Sequence, residues 1–265
     1  MKMRVPFFAA QTIMEVQKLN EPTLRKLREM HMKGMADAYL AQLDNPKIYE
    51  VMSFDQRFGS IVDAECDKRA QNKLNRLIKG AKLRLPDASP EGFDFSDNRS
   101  LDLPLIARLL ECRFLDESRD VVITGATGTG KTYLACAIGK AACRKYKTVR
   151  YVRLPALLSE LMIAREANCY DKVLSRYIRY NLLIIDDWLL YKCSKTEQRD
   201  IYELIEAREQ LHSTIYCSQF AEEGWLTRLG KVPSSEGVIA RITKEGVIRI
   251  PLSSKADMRL QKSAS

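Results

Sequence analysis

Residues 125–132 read Gly-Ala-Thr-Gly-Thr-Gly-Lys-Thr and satisfy the pattern G-x-x-x-x-G-K-[ST] at every position. Four β-prone residues, Val121 to Thr124, run into this turn, and an alanine-rich helical stretch leaves it. Strand, glycine turn and helix in that order form the context in which such a loop cradles phosphate. Glycines let the backbone curl so that successive N–H groups point inward at anionic oxygens. The helix beginning near Lys131 adds the positive end of its dipole.

The residue types assign roles. Gly125, Ala126, Thr127, Gly128, Thr129 and Gly130 supply the curl, and Tyr133 follows it into the helix. Lys131 reaches the β- and γ-phosphates, and the Thr132 hydroxyl ligates Mg²⁺. A second element lies 55 residues beyond Lys131, where NLLIIDDW ends a hydrophobic strand on Asp186. A carboxylate there holds the metal, and Asp187 next to it is placed to orient an attacking water. STIYCSQF repeats the pattern, so Ser218 and Gln219 stand at another strand end, within reach of the γ-phosphate or the water. Neither an N-K-x-D guanine reader nor the protein-kinase set H-R-D and D-F-G occurs, which leaves ATP as the expected nucleotide.

The strands expected are 121–124, 148–153, 181–186, 213–218 and 247–252, with helical stretches between the first four and a loop-rich, then helical, stretch before the fifth. Near-continuous apolar strands alternating with helices define a parallel sheet covered on both faces. The part before it reads differently. Apolar residues from about Leu19 to Leu43 recur at helical spacing, and a second helix begins near Ser53, with Gln56 completing a capping box, and runs to about Leu83. LRLPDASPEGFDFSDNRS, residues 83–100, reads as a connector. The expected organisation is therefore a helical domain over 1–95 and an α/β domain over 96–265.

Charge is concentrated in the front part. Residues 68–84 hold Lys68, Arg69, Lys73, Arg76, Lys79, Lys82 and Arg84 and no Asp or Glu, so this segment carries +7 of the formal net charge of +9. A basic excess this local calls for a polyanionic partner, and duplex DNA contacted through its phosphates is the expectation. No run of about 18 apolar residues is present, so no membrane span or membrane partner is expected. Seven cysteines without C-x-x-C spacing, and only two histidines, argue against a zinc site and for reduced cysteines buried as small residues in a cytoplasmic protein.

With these elements in place the sequence resembles the IstB-type family, ATPase helper subunits of insertion-sequence transposition in the AAA+ superfamily, related to replicative-helicase loaders of the DnaC type. The resemblance is carried by LREMHMKGMADAYLAQL, MSFDQRFGSIVDAECDKRAQNKLNRLIKGAKL, the FDFS of the connector, G-x-T-G-T-G-K-T, IIDDW and SQ, and extends to about Arg259. It implies a P-loop AAA+ domain with a five-stranded parallel sheet behind a small all-helical N-terminal domain. It implies an ATPase that assembles with copies of itself on duplex DNA, bends or remodels it, and stimulates a partner transposase encoded nearby. In VIARITK, Arg241 matches the arginine that a neighbouring subunit supplies to the γ-phosphate, although Ala240 stands where the family usually has Asp. In SKADMR, Arg259 resembles the sensor arginine that touches phosphate within one subunit. Asp187 is a methylene shorter than the Glu that AAA+ enzymes often carry, which implies slow hydrolysis. A helicase loader is the alternative. A small-molecule kinase on a P-loop fold would have no use for the basic front.

Overall fold

A computed structural model describes residues 21–89 and 102–253. The chain separates into two compact units, Met1–Asn75 and Arg76–Ser265. The division falls inside a long helix, some twenty residues before the boundary expected at 95/96.

In the first unit, the helix expected over Leu19–Leu43 is two. Helix α1 covers 21–29 and α2 covers Lys33–Asp44. They part at His31, whose φ of 58° is left-handed, and the turn closes with Met32 N donating to Leu27 O at 2.8 Å. Tertiary packing explains the break. Gly34 lies so close to the backbone of Ala64 that a Cβ on it would stand 2.5 Å from the Ala64 oxygen. The first turn of α2 has no side-chain cap of its own. Glu65, 7% exposed, caps it from the neighbouring helix by accepting from Met35 N at 3.2 Å. Its hydrogen bond from Arg69, and then those backbone donors, hold the Glu65 carboxyl below its ordinary range. A short α3 (Pro46–Tyr49) leads to α4 (Phe54–Ala81). The expected capping box is present: Ser53 N donates to Gln56 Oε1 at 2.9 Å and Gln56 N to Ser53 Oγ at 3.3 Å.

The second unit takes in the end of α4, the segment after it, and α5 (Leu103–Leu110), which Asp102 caps through Leu105 N at 3.0 Å. Then come β1 (Val121–Gly125), α6 (Lys131–Arg144), β2 (Val149–Arg153), α7 (Leu154–Glu166), α8 (Tyr170–Ile178), β3 (Leu182–Asp186), α9 (Lys195–Arg208), β4 (Ser213–Ser218), α10 (Trp225–Leu229), α11 (Pro233–Thr243) and β5 (Ile248–Leu252). All five expected strands form within a residue or so of their expected bounds. They make one sheet in the order β2-β3-β4-β1-β5, and every pairing is parallel. Every residue of β3 and β4 is buried. Strands covered on both faces have no polar side to alternate with, which is why LLIID is continuously apolar until its final acid.

On one face of the sheet, Trp188 sits edge-on to Tyr216, with ring centroids 4.8 Å apart, and to Trp225, at 6.1 Å. At the other end of the strands, Arg208 is 2% exposed and donates to the carbonyls of Tyr177, Ile178, Tyr180 and Ser213. A buried guanidinium is tolerated only when its donors are satisfied. Here it ties the end of α8 to the start of β4.

Candidate nucleotide-binding site

The loop between β1 and α6 has the backbone the sequence requires. Gly125, Gly128 and Gly130 all have positive φ, at 151°, 84° and 92°. Gly125 has a second reason to be glycine: a Cβ there would stand 2.3 Å from the Leu252 oxygen of the adjacent strand β5. Thr129, almost fully buried, closes the turn by donating from Oγ1 to Ala126 O at 2.9 Å. Lys131 begins α6, and its Nζ folds back over the loop to donate to Gly125 O at 2.6 Å and Ala126 O at 2.7 Å.

The carboxylate at the end of β3 meets this loop. Thr132 Oγ1 donates to Asp186 Oδ2 at 2.7 Å, joining the first turn of α6 to the end of β3. Tyr151, on β2, donates to the same oxygen at 2.7 Å, and Asp187 N donates to Asp186 Oδ1 at 2.9 Å. Burial, and then the adjacent Asp186, push the Tyr151 phenol far above its ordinary value, so it acts as a donor. Asp187 has φ 53°, a left-handed position that turns its side chain out of the strand direction, and Arg153 forms an ion pair with it. The hydrogen bond that Arg153 donates to Asp187, and then the charge of Asp187, raise the pKa of the guanidinium further.

A cavity of about 380 Å³ opens at this junction, lined by Thr127, Gly128, Gly130, Lys131, Thr132 and Tyr133 from the loop and α6, by Asp186, Asp187 and Gln219, and by Arg84 to Ala88. Gln219 reaches the loop directly, since Thr127 Oγ1 donates to its Oε1 at 2.9 Å. Ser218 does not reach the cavity. It is fully buried, donates to Trp188 O at 3.0 Å and accepts from Phe220 N at 3.2 Å, so it shapes the strand end that presents Gln219.

The donor set fits a magnesium–nucleotide. Hydroxyl and carboxylate oxygens are the hard ligands Mg²⁺ prefers, and Thr132 and Asp186 bring them together. The curled loop, with an ammonium folded over it, supplies the complement of a polyphosphate.

Of the other expected site residues, Arg241 is not among those lining the cavity. Its Nε donates to Glu209 Oε2 at 2.7 Å, its Nη2 lies 3.3 Å from Glu206 Oε1, and its guanidinium stands 5.4 Å from the Tyr202 ring centroid. Arg259 lies outside the described residues. Lys68, Arg69, Lys73, Arg76 and Lys79 are exposed on α4, as a DNA-facing role requires, with Arg69 also bonded to Glu65 at 2.7 Å. Two residues depart from the expected helix, which ends at Ala81 rather than near Leu83. Lys82 takes a left-handed turn at φ 49°, and Arg84 belongs to the cavity wall rather than to a basic helix face.

Spacing and charge had missed the 84–88 wall, Tyr151 and Arg153; the only cue was Pro86-Asp87, which marks a turn. The cysteines are free, and burial pushes the thiols of Cys112, Cys136, Cys143 and Cys193 up to about 11, so they stay protonated. Cys66 is exposed, contrary to the expectation that all are buried. Among the described residues no helix is long and apolar enough to cross a membrane.

Fold and site together define a P-loop α/β domain of the nucleotide-binding type. The solved structures agree on the fold: AMPPCP-bound DnaA from Aquifex aeolicus matches with a TM-score of 0.57 at 19% identity, over 68% of this chain and 54% of that one. DnaI matches at 0.52 and 18% identity, over 65% and 91%. Residues 25–265 match the model of the family described as IstB-like ATP binding protein, and the chain belongs to that family. Among its relatives are two proteins named for ATP binding in insertion sequences. That of IS1162 from Pseudomonas fluorescens is 36% identical over 76% of this chain and 87% of its own length. The y4pL protein of Sinorhizobium fredii is 33% identical over 93% of this chain and its full length.

Proposed function

We propose that this chain is an ATP-dependent DNA-binding helper of transposition, which assembles on duplex DNA when it holds ATP and prepares that DNA for a partner transposase. The observation that carries the reading is the convergence of Lys131, Thr132 and Asp186 on one cavity, in a chain of an insertion-sequence ATP-binding family. Lys131 and the loop amides bind the phosphates. Thr132 and Asp186 hold magnesium, which would neutralise charge on the transferred phosphoryl group. Asp187 orients the attacking water once its carboxylate turns from Arg153, and Gln219 reaches the same end of the cavity. Arg241 acts on the cavity of a neighbouring subunit, and its absence from the lining of its own cavity supports that assignment. Arg259 completes the site as a sensor arginine within the subunit.

The exposed cations of α4 contact DNA phosphates, which gives sequence-independent and salt-sensitive affinity. Bending a DNA site costs on the order of 1–6 kcal/mol, which an array of such contacts can offset. The chain would do this work in the cytoplasm, on the nucleoid. The test is gel shift and particle sizing with duplex DNA, with and without ATP, across a salt series. ATP is expected to raise both affinity and particle size, and charge reversal at Lys73 and Arg76 to weaken binding and flatten the salt slope. An ATP-insensitive affinity and particle size would overturn the assembly reading, and unchanged binding by the charge-reversed chain would move the DNA contact elsewhere.

A further inference from the structure

Tyr151 and Asp186 stand on neighbouring strands. In the register of β2 with β3, Tyr151 lies opposite Ile184, so Asp186, two residues on, has its side chain on the same face. Both are almost fully buried, at 8% and 3% exposed. An ionised carboxylate only accepts, and each of its oxygens has about two acceptor sites. Asp186 Oδ2 accepts from Thr132 Oγ1 and from Tyr151 Oη, each at 2.7 Å, so its sites are full. Asp186 Oδ1 accepts from Asp187 N at 2.9 Å, and among the described residues nothing else donates to it, so one site is left over. Thr132 commits its proton to Asp186 and keeps the lone pairs of its own oxygen. These residues therefore present one carboxylate oxygen and one hydroxyl oxygen to a cation, and not a pair of carboxylate oxygens.

We propose that Tyr151 selects the cation of this site: by filling Asp186 Oδ2 it confines the carboxylate to one free oxygen, which suits Mg²⁺ and disfavours Ca²⁺. The proposal rests on the nucleotide reading above. Mg²⁺ demands a near-ideal octahedron and keeps several waters, so a carboxylate serves it through one oxygen. Ca²⁺ takes about 6–8 oxygens in looser geometry and accepts a carboxylate through both at once. While Tyr151 donates, Asp186 cannot offer both oxygens without stripping a buried phenol of its acceptor, and burial makes that loss costly. Thr132 shares the same oxygen but imposes no such choice, because its hydroxyl can donate to Asp186 and lend a lone pair to the cation together. Tyr151 is not among the residues that line the cavity. It is thus a positioning residue, which acts on the cation through Asp186.

The experiment uses the full chain and a fluorescent ATP analogue, mant-ATP, in Mg²⁺ or Ca²⁺ at concentrations that load all of the nucleotide, or in EDTA. Kd is read in each. Wild type is expected to hold the Mg²⁺ complex about tenfold more tightly than the Ca²⁺ complex or better. Tyr151→Phe keeps the ring and removes only the hydroxyl. The freed Oδ2 should then let the Ca²⁺ complex gain on the Mg²⁺ complex, and the ratio of their Kd values should fall about tenfold, the lower end of what partners behind a metal ligand are worth. Binding in EDTA should not change, because the cradle around Lys131 is untouched. A side chain that only fills space would weaken both complexes alike, so a Tyr151→Phe chain that keeps the wild-type ratio overturns the proposal. Where Tyr151→Phe folds poorly by thermal melting, the wild type still decides: equal affinity for the two complexes overturns the proposal without any variant. A wild-type chain that binds mant-ATP in none of the three conditions overturns the nucleotide reading itself, whereas one that binds it without preferring Mg²⁺ overturns only the selection.

Discussion

Arg241→Ala removes a side chain that has partners inside its own subunit and a proposed task in the next one. The internal cost can be bounded. Arg241 is paired with Glu209 at 2.7 Å and Glu206 at 3.3 Å, and its side chain is 25% exposed. Lys244 Nζ also holds Glu209, at 3.0 Å, so that carboxylate keeps a cation after the substitution. Glu206 is half exposed and stays hydrated. Partly screened pairs whose remaining groups stay solvated or partnered contribute about 1 kcal/mol or less. In a domain of this size that amounts to a fall of about 2–4 °C in Tm. An arginine supplied in trans to a γ-phosphate is worth about 10³ to 10⁵ in rate.

The two effects are far enough apart for one variant to separate them. Steady-state ATPase in the presence of DNA should fall about a thousandfold, while Tm by differential scanning fluorimetry falls by only a few degrees. Mixing supplies the stricter test. Lys131→Ala has a damaged cradle and an intact arginine, and Arg241→Ala has the reverse. In a random equimolar co-assembly, about a quarter of the interfaces join an intact cradle to an intact arginine, so activity should return to about a quarter of wild type. Arg241→Ala that keeps more than about a tenth of wild-type turnover, or a folded pair of variants that shows no recovery on mixing, would refute the assignment in trans.

Gly125→Ala should destabilise the chain by about 3 kcal/mol or more, because its Cβ would meet the Leu252 oxygen at 2.3 Å from a φ of 151°; a denaturant midpoint close to wild type would contradict that packing. Asp187→Asn should keep mant-ATP affinity and lose about 10²-fold or more in turnover, with Asp187→Glu retaining activity, whereas an Asn variant as active as wild type would remove Asp187 from the chemistry. Asp120 gives a pH test: burial raises its carboxyl to about 6 from 3.8, against the Thr214 N–H and the charges of Arg208 and Lys244, with Glu209 adding to the rise. The unfolded chain releases that proton near its ordinary value and the folded chain only near 6, so wild type loses stability as pH rises through this window. The Tm of Asp120→Asn minus that of wild type should therefore grow between pH 4 and 7, and a difference independent of pH would show that Asp120 is not held neutral.

The parts of the fold legible in the sequence are those whose cause is local. Strand β3, for example, is an apolar run ended by an acid. The capping box at Ser53 and Gln56 is a contact three residues apart, and the loop at 125–132 is defined by where glycine is needed. The parts that were not legible have causes distant in sequence. The break at His31 follows from Gly34 meeting Ala64 on another helix, which periodicity within 19–43 cannot register. Arg84 looks like the last cation of a basic helix until the chain turns at Lys82 and Pro86 docks on Lys140. Ser218 and Gln219 share one strand end, but the strand is buried on both faces, so only the residue after its last pairing can turn to the cavity.

The same distant contacts bear on how the site works. Lys131 Nζ rests on the Gly125 and Ala126 carbonyls, Asp187 is paired with Arg153, and Arg241 rests on Glu206 and Glu209. Each of these three groups, which the proposed mechanism directs at nucleotide or water, therefore has an alternative partner within the chain. Binding must exchange these contacts before it gains new ones, so its net energy is the difference between two charged arrangements of similar strength. Asp187 faces the largest exchange, because Arg153 is a full positive charge and the attacking water is neutral. A site arranged in this way would hydrolyse slowly and spend its selectivity on whether ATP is bound, which suits the proposed ATP-dependent assembly on DNA. Arg153→Ala follows as the discriminating substitution. Freed from its counter-ion, Asp187 should turn over ATP faster per assembled subunit, and a slower Arg153→Ala with unchanged assembly would mean that Arg153 positions the carboxylate instead of restraining it.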